Sequence, residues 1–276
     1  MDWEAFFAVH SDLPREGPGQ AEDVAWVGGL IGISPQGHVC DAGCGPGGDL
    51  AALRQLVPQG RIDGFETVPH FVEAARRKFP GEPSVRITAE SMERLRGPYD
   101  LIWSAGAVYF LGVARALNAW RGALTDQGAV AFSHPCLFTD APSKAALAFW
   151  ESEPGDIGTE ATTRAEIAAV GWRVLAARPL SDAAWTAYYE PMLARCAALE
   201  AAEVSDSVAA AIAARATGVD VTYSQIGSRG LPWTSRKPSR SRVSGWAASQ
   251  AFVSSAIVER VHSMARRAST LKDSIS

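Results

Sequence analysis

Apolar residues along this chain follow two periodicities that take turns. Short apolar runs at His38–Ala42, Arg61–Glu66, Val85–Ala89, Tyr99–Ser104, Gly128–His134 and Trp172–Pro179 have the length and composition of strands. Between several of them apolar positions recur at helical spacing, over 48–57, 69–79, 112–124 and 163–170, and over 21–33 until Pro35 and Gly37 break the run. Such alternation predicts an α/β fold, a doubly wound, mostly parallel sheet of six to seven strands with helices on both faces. Upstream, Trp3–Val9 reads as a short apolar helix ahead of the turn-rich Pro14-Arg15-Glu16-Gly17-Pro18-Gly19. The alanine-rich stretch 182–217 reads as one or two further helices.

After Gly218 the pattern changes. Residues 218–276 hold 13 serines, with Pro232 and Pro238 inside Leu231–Arg242. One domain is therefore predicted over 1–217, followed by an atypical Ser/Arg-rich segment, 218–276, that is partly disordered and irregular at 228–245. Within it Phe252, Val253, Ile257, Val261 and Met264 fall near helical spacing and predict an amphipathic helix over Trp246–Arg267. Charge divides at the same place: 27 acids and 17 bases in 1–217 give −10, and 3 acids and 9 bases in 218–276 give +6. The acidic body argues against nucleic acid as the main domain's partner, because polyanion binding relies on a basic surface. The absence of a basic and apolar leader, or of any long apolar run, argues against secretion and membrane spanning. Four cysteines without zinc or redox spacing fit a reduced, cytoplasmic chain with no metal.

The chemistry concentrates in Val39-Cys40-Asp41-Ala42-Gly43-Cys44-Gly45-Pro46-Gly47-Gly48, where a strand ends and a helix follows. Glycines there let the backbone turn tightly and bring main-chain amides to a ligand. Gly43, Gly45 and Gly48 match the dinucleotide pattern GxGxxG, whereas Gly43, Gly45 and Gly47 match GxGxG behind Asp41; the glycines alone leave both open. Asp41 favours the second pattern, since a carboxylate beside the turn faces an ammonium well and opposes a pyrophosphate. Glu66, at the end of the next strand, is placed to accept hydrogen bonds from ribose hydroxyls, which suits either nucleoside ligand.

With those residues in view, the sequence resembles the class I methyltransferases that use S-adenosylmethionine (SAM), over roughly residues 3–196. In these enzymes the glycine motif looks like Asp41–Gly47 and the ribose acid corresponds to Glu66. The resemblance implies a Rossmann-like fold, SAM as cofactor, adenine contacts from Glu90 and Ser91 in Thr88-Ala89-Glu90-Ser91-Met92, and Ser104 on the fourth strand beside the cofactor. The blocks Leu13–Gly19 and Ile102–Tyr109 look like a bacterial group that methylates small molecules. Against that group, Ala105 and His134 stand where acids are expected, which puts the substrate chemistry, or the activity itself, in doubt. The family would also finish its sheet with an apolar antiparallel strand after the helix that begins near Asp182. Val219–Ile226 is a poor candidate for it, so a weak or absent last edge is expected.

The expected function is SAM-dependent methylation of an unidentified small molecule, with no membrane partner. Arg15 is a candidate clamp for a substrate carboxylate, and the segment Phe6–Gly19 is expected to close over the donor. Tyr109 is a candidate for the methyl and substrate side, and His134 is the candidate base. A non-catalytic SAM-binding regulator and a nicotinamide-dependent oxidoreductase are the alternatives. The second lacks a Tyr-x-x-x-Lys pair or other hydride-transfer set.

Overall fold

The computed structural model describes residues 3–137, 157–202 and 204–215, the backbone of 251–260, and positions 144, 147, 148 and 151. Strands β1 (His38–Ala42), β2 (Arg61–Phe65), β3 (Val85–Thr88), β4 (Tyr99–Ala105), β5 (Leu124–Leu137), β6 (Trp172–Pro179) and β7 (Ala251–Arg260) form one seven-stranded sheet in the order β3-β2-β1-β4-β5-β7-β6. Strands β1 to β5 run parallel to their neighbours, and β7 lies antiparallel between β5 and β6.

Helices cover both faces, as the alternating pattern requires. On one side α2 (Ala21–Ile31), α3 (Leu50–Leu56) and α4 (Pro69–Arg77) bury Val24, Val27, Leu50, Leu53, Val72 and Ala75 against Val39, Ile62 and Leu101. On the other, α5 (Val113–Trp120) and α6 (Glu160–Ala169) bury Leu117, Trp120 and Ile167 against Tyr99, Ile102, Phe132 and Trp172. A third cluster lies off the sheet, where α1 (Trp3–His10) and α7 (Asp182–Glu200) pack Ala5, Val9, Trp185 and Met192 together with Val208 and Ile212 of the helical stretch 206–215. These helices form a cap with its own core. No described helix is long and apolar enough to cross a membrane, and all four cysteines are buried and free.

The carboxyl-terminal expectations need correction. Residues 251–260 form a strand rather than part of a helix, and the sheet's last edge is neither weak nor missing: β7 pairs with β5 from Val130↔Val258 to Leu137↔Ala251, and with β6 from Trp172↔Arg260 to Pro179↔Ser254. The apolar runs Phe252-Val253 and Ala256-Ile257-Val258 suit an interior strand flanked by two others, and their spacing imitates a helix only because runs this short satisfy both periods. The irregular stretch expected at 228–245 lies outside the described residues.

Because β7 is what joins β6 to the sheet, a chain ending at residue 217 should lose its cooperative thermal transition and elute as aggregate on gel filtration. A monomeric chain of 217 residues with an unchanged melting curve would restore the domain boundary drawn from composition.

Candidate active site

A cavity of about 490 Å3 lies at the carboxyl ends of β1, β2 and β4. Strand order reverses between β1 and β4, the place where open α/β sheets leave a crevice because successive crossovers diverge. Asp41 ends one wall, Glu66 follows β2, and Ala105 and Gly106 end β4.

The turn after β1 is held by hydrogen bonds that leave little freedom. The amides of Gly43 and Cys44 both donate to the Phe65 carbonyl, at 2.9 and 3.0 Å. Glu66 accepts from the Gly45 amide with Oε2 (2.9 Å) and from the Thr67 and Val68 amides with Oε1 (2.7 and 2.9 Å), so its carboxylate is fixed before any ligand arrives. Gly43 has φ of +77°, and a Cβ there would sit 2.5 Å from Ala107 Cβ and 3.2 Å from Met92 Sδ. A side chain there would collide with these neighbours, so the turn needs glycine where it borders the cavity. Gly47 serves differently: it is off the cavity, and its missing side chain lets the turn pack on Leu50 and Ala75.

Asp41 lines the cavity almost wholly buried, and no donor among the described residues hydrogen-bonds its carboxylate. Burial drives its pKa well up, and the neighbouring Asp49 and Glu66 charges add to that against Arg15 and Lys78. A cation in the cavity would relieve the strain, and a pyrophosphate would worsen it. Together with the rigid Glu66 on the same cavity, this fits a nucleoside carrying a positively charged amino-acid portion.

The amino-terminal segment forms the facing wall. Phe6, His10, Arg15, Glu16 and Gly17 all line the cavity, and Gly17 and Gly106 face each other closely. Lys78 Nζ donates to the carbonyls of Pro14 (3.2 Å) and Gly47 (3.0 Å), tying the segment to the glycine turn. Arg15, the candidate clamp, has its hydrogen bonds taken up within the protein. Its guanidinium is occupied by the carbonyls of Gly17 and Gly19 and by Asp49 Oδ1 at 3.0 Å, while Asp49 Oδ2 accepts from Trp103 Nε1 at 2.9 Å. Arginine among turn residues served here to brace the loop.

Tyr109 and Ser91 line the cavity as expected, although the Ser91 hydroxyl oxygen also caps the short turn Met92–Arg94 by accepting from Glu93 N at 3.2 Å. Glu90 is off the cavity and pairs with Arg96 at 3.3 Å. Ser104 is fully buried, its hydroxyl donating to the Ala42 carbonyl at 2.8 Å, so it ties β4 to β1. His134 is also off the cavity. Its neighbour Ser133 accepts from the Gly106 amide beside the site, and successive strand residues face opposite ways, which turns His134 from it. Burial lowers the His134 pKa to about 4, and Nδ1 has no hydrogen-bond partner among the described residues. Sequence reading missed Phe6, His10, Glu16, Asp49, Tyr188 and Arg215, all of which line the cavity. Glu16 and Asp49 lay in or beside the quoted motifs; His10, Tyr188 and Arg215 come from the cap and had no local signal.

The Asp41 environment sets a test. A raised folded-state pKa means that stability is fully present below the ordinary value of 3.8 and is lost as pH rises through the folded value. Asp41→Asn should therefore unfold at higher temperature than the ligand-free parent near neutral pH, with the gain shrinking toward pH 4. Calorimetric scans across pH check this, and a gain that grows on acidification would contradict it.

Comparison with known proteins gives the same reading. Residues 39–128 match the family model described as "Methyltransferase domain". The chain is 27% identical to a trans-aconitate 2-methyltransferase of Paracidovorax citrulli over 179 residues, which is 62% of this chain and 68% of that one. The enzyme of the same description from Escherichia coli K12 is 27% identical over 110 residues, covering 40% of this chain and 41% of the relative, so less than half of that relative's length is matched. A SAM-dependent methyltransferase of Thiobacillus denitrificans, solved with S-adenosyl-L-homocysteine (SAH), superposes with a TM-score of 0.71 at 14% identity, covering 92% of this chain and 97% of the other. Residues 39–128 thus carry a methyltransferase domain, and the fold around it is the one found in SAM-dependent methyltransferases.

Proposed function

We propose that this protein methylates a small molecule held between the glycine turn and the helical cap. The observation that carries the reading is the pairing of a buried Asp41 lacking a described hydrogen-bond donor with a rigidly held Glu66 on the walls of one cavity, beside the glycine turn at Gly43. Glu66 accepts a ribose hydroxyl on the Oε2 lone pair its three amide donors leave free. Asp41 faces the ammonium, and Ser91 with Met92 borders the adenine. The cofactor supplies a methyl group already activated on a sulfonium. The protein's part is then to bind, orient and exclude water, with the braced loop 13–19 as the cover.

The acceptor departs from that of the curated relatives, whose name specifies trans-aconitate, a tricarboxylate. Glu16, Asp41 and Glu66 line this cavity, Arg15 is occupied by Asp49, and Arg215 is the other arginine on the described wall. Three substrate carboxylates would meet net repulsion there. We place the reaction in the cytoplasm, where four buried free thiols stay reduced.

Titration calorimetry tests the donor site. The protein should bind SAM, and Glu66→Ala should weaken binding by about 1.5–3 kcal/mol, the range for hydrogen bonds to a charged group. Gly43→Ala should leave no measurable binding while the variant keeps a folded circular dichroism spectrum. Undiminished affinity in either variant removes that residue from the donor site.

A further inference from the structure

Among the described residues, two buried polar atoms in the cavity wall have no hydrogen-bond partner, and they belong to one hydrogen-bonded pair. His10 Nδ1 lies 2.6 Å from Glu16 Oε2, whereas His10 Nε2 and Glu16 Oε1 are both without a hydrogen bond. A buried polar atom left unpaired costs free energy of about 1–3 kcal/mol, so two on one side of a ligand cavity call for a ligand group. The pair is built rather than incidental. Phe6 stacks on the imidazole with ring centroids 4.1 Å apart and planes within 6°, His10 is 3% exposed, and Glu16 reaches over the glycine turn, where a Cβ on Gly45 would lie 3.8 Å from Glu16 Cγ. The dyad therefore stands on the cap side of the donor site.

We propose that His10 is the proton acceptor of the reaction and that the methyl acceptor carries an ionisable hydroxyl or amine hydrogen. The proposal rests on the methyltransferase reading above. A carboxylate oriented on one imidazole nitrogen leaves the other to take a proton and balances the imidazolium that forms. As the acceptor atom bonds to the methyl carbon and the carbon–sulfur pair returns to sulfur, the acceptor's hydrogen leaves as a proton to His10 Nε2. The carboxylate of Glu16 stays ionised beside it, and Glu16 Oε1 takes a hydrogen bond from a second acceptor group. Other charged and titratable groups facing the pair are Glu66 from the β2 end, Arg215 from 206–215, and Tyr188 from α7, whose hydroxyl is kept neutral by burial. The acid expected in place of Ala105 and the base expected at His134 are thus replaced from another element, α1.

The test uses the full-length chain with SAH or SAM bound and a fixed set of probes: catechol, phenol, benzylamine, histamine, citrate and trans-aconitate. With SAH present, calorimetry should detect binding of at least one hydroxyl or amine probe and of neither polycarboxylate. His10→Gln should weaken that binding about tenfold, one hydrogen bond at 1.4 kcal/mol per decade, without changing SAH affinity. With radiolabelled SAM the same probe should accept methyl. His10→Gln should lower kcat by about 10²–10⁴-fold, the usual contribution of a general base, and abolish the fall of kcat at acid pH, while KM for SAM holds. Glu16→Gln should fall in between. Methylation of trans-aconitate, no methylation of any hydroxyl or amine probe by SAM-loaded protein, or full activity in His10→Gln each overturns the proposal. Failure to bind SAM at all would instead overturn the donor reading.

Discussion

The carboxylate of Asp49 joins the amino-terminal loop to the sheet. One oxygen holds Arg15 of the amino-terminal loop and the other holds Trp103 of β4, with both acidic and basic side chains largely buried. Breaking one partner of such a pair strands a charge away from water, at a cost of about 3–5 kcal/mol. The loop's own carbonyls complete the arginine's hydrogen bonding, so the loop folds around the guanidinium rather than merely touching it. The cover over the glycine turn, the approach of Glu16 to Gly45 and the position of α1 all follow from that fixed point. The segment Phe6–Gly19 is accordingly a wall, tied down also by Lys78.

This arrangement keeps three carboxyl groups close together away from water. Three acids, Asp41, Glu66 and Glu16, line one cavity, and burial raises the pKa of Asp41 and of Glu16. A flexible loop would open and hydrate them; a bolted one keeps them waiting for a cation. Electrostatic preorganisation of this kind is a cost to the empty protein and a gain to the loaded one.

Much of the sheet was legible because its strands are short apolar runs divided by helical spacing, and β1 and β6 begin and end at the residues read from the pattern. Asp41, the glycines and Glu66 were legible for a related reason: the turn, the acid and their spacing are all local. What escaped depends on distant segments meeting. Asp49 and Arg15 are separated by 34 positions and Glu16 and Gly45 by 29, and no periodicity announces either approach. Arg15 was legible as a cavity residue but its partner Asp49 was not, since a residue type reveals what a side chain can bind but not which partner reaches it first. His134 failed on strand parity, because one residue's shift along β5 changes the face. The strand at 251–260 failed because a Ser-rich, basic neighbourhood outweighed a short apolar run.

The cap's separate core has an evolutionary reading. Donor contacts hang on the loops of the sheet, whereas Phe6, His10, Tyr188 and Arg215 belong to helices or the stretch 206–215, whose apolar side chains pack mainly among themselves. Substitutions or insertions in the cap can then reshape which molecule is accepted without disturbing the sheet's half of the cavity. Lineages sharing this sheet would be expected to keep a single methyl source and diversify their products, and directed evolution for new acceptors belongs in α1, α7 and 206–215.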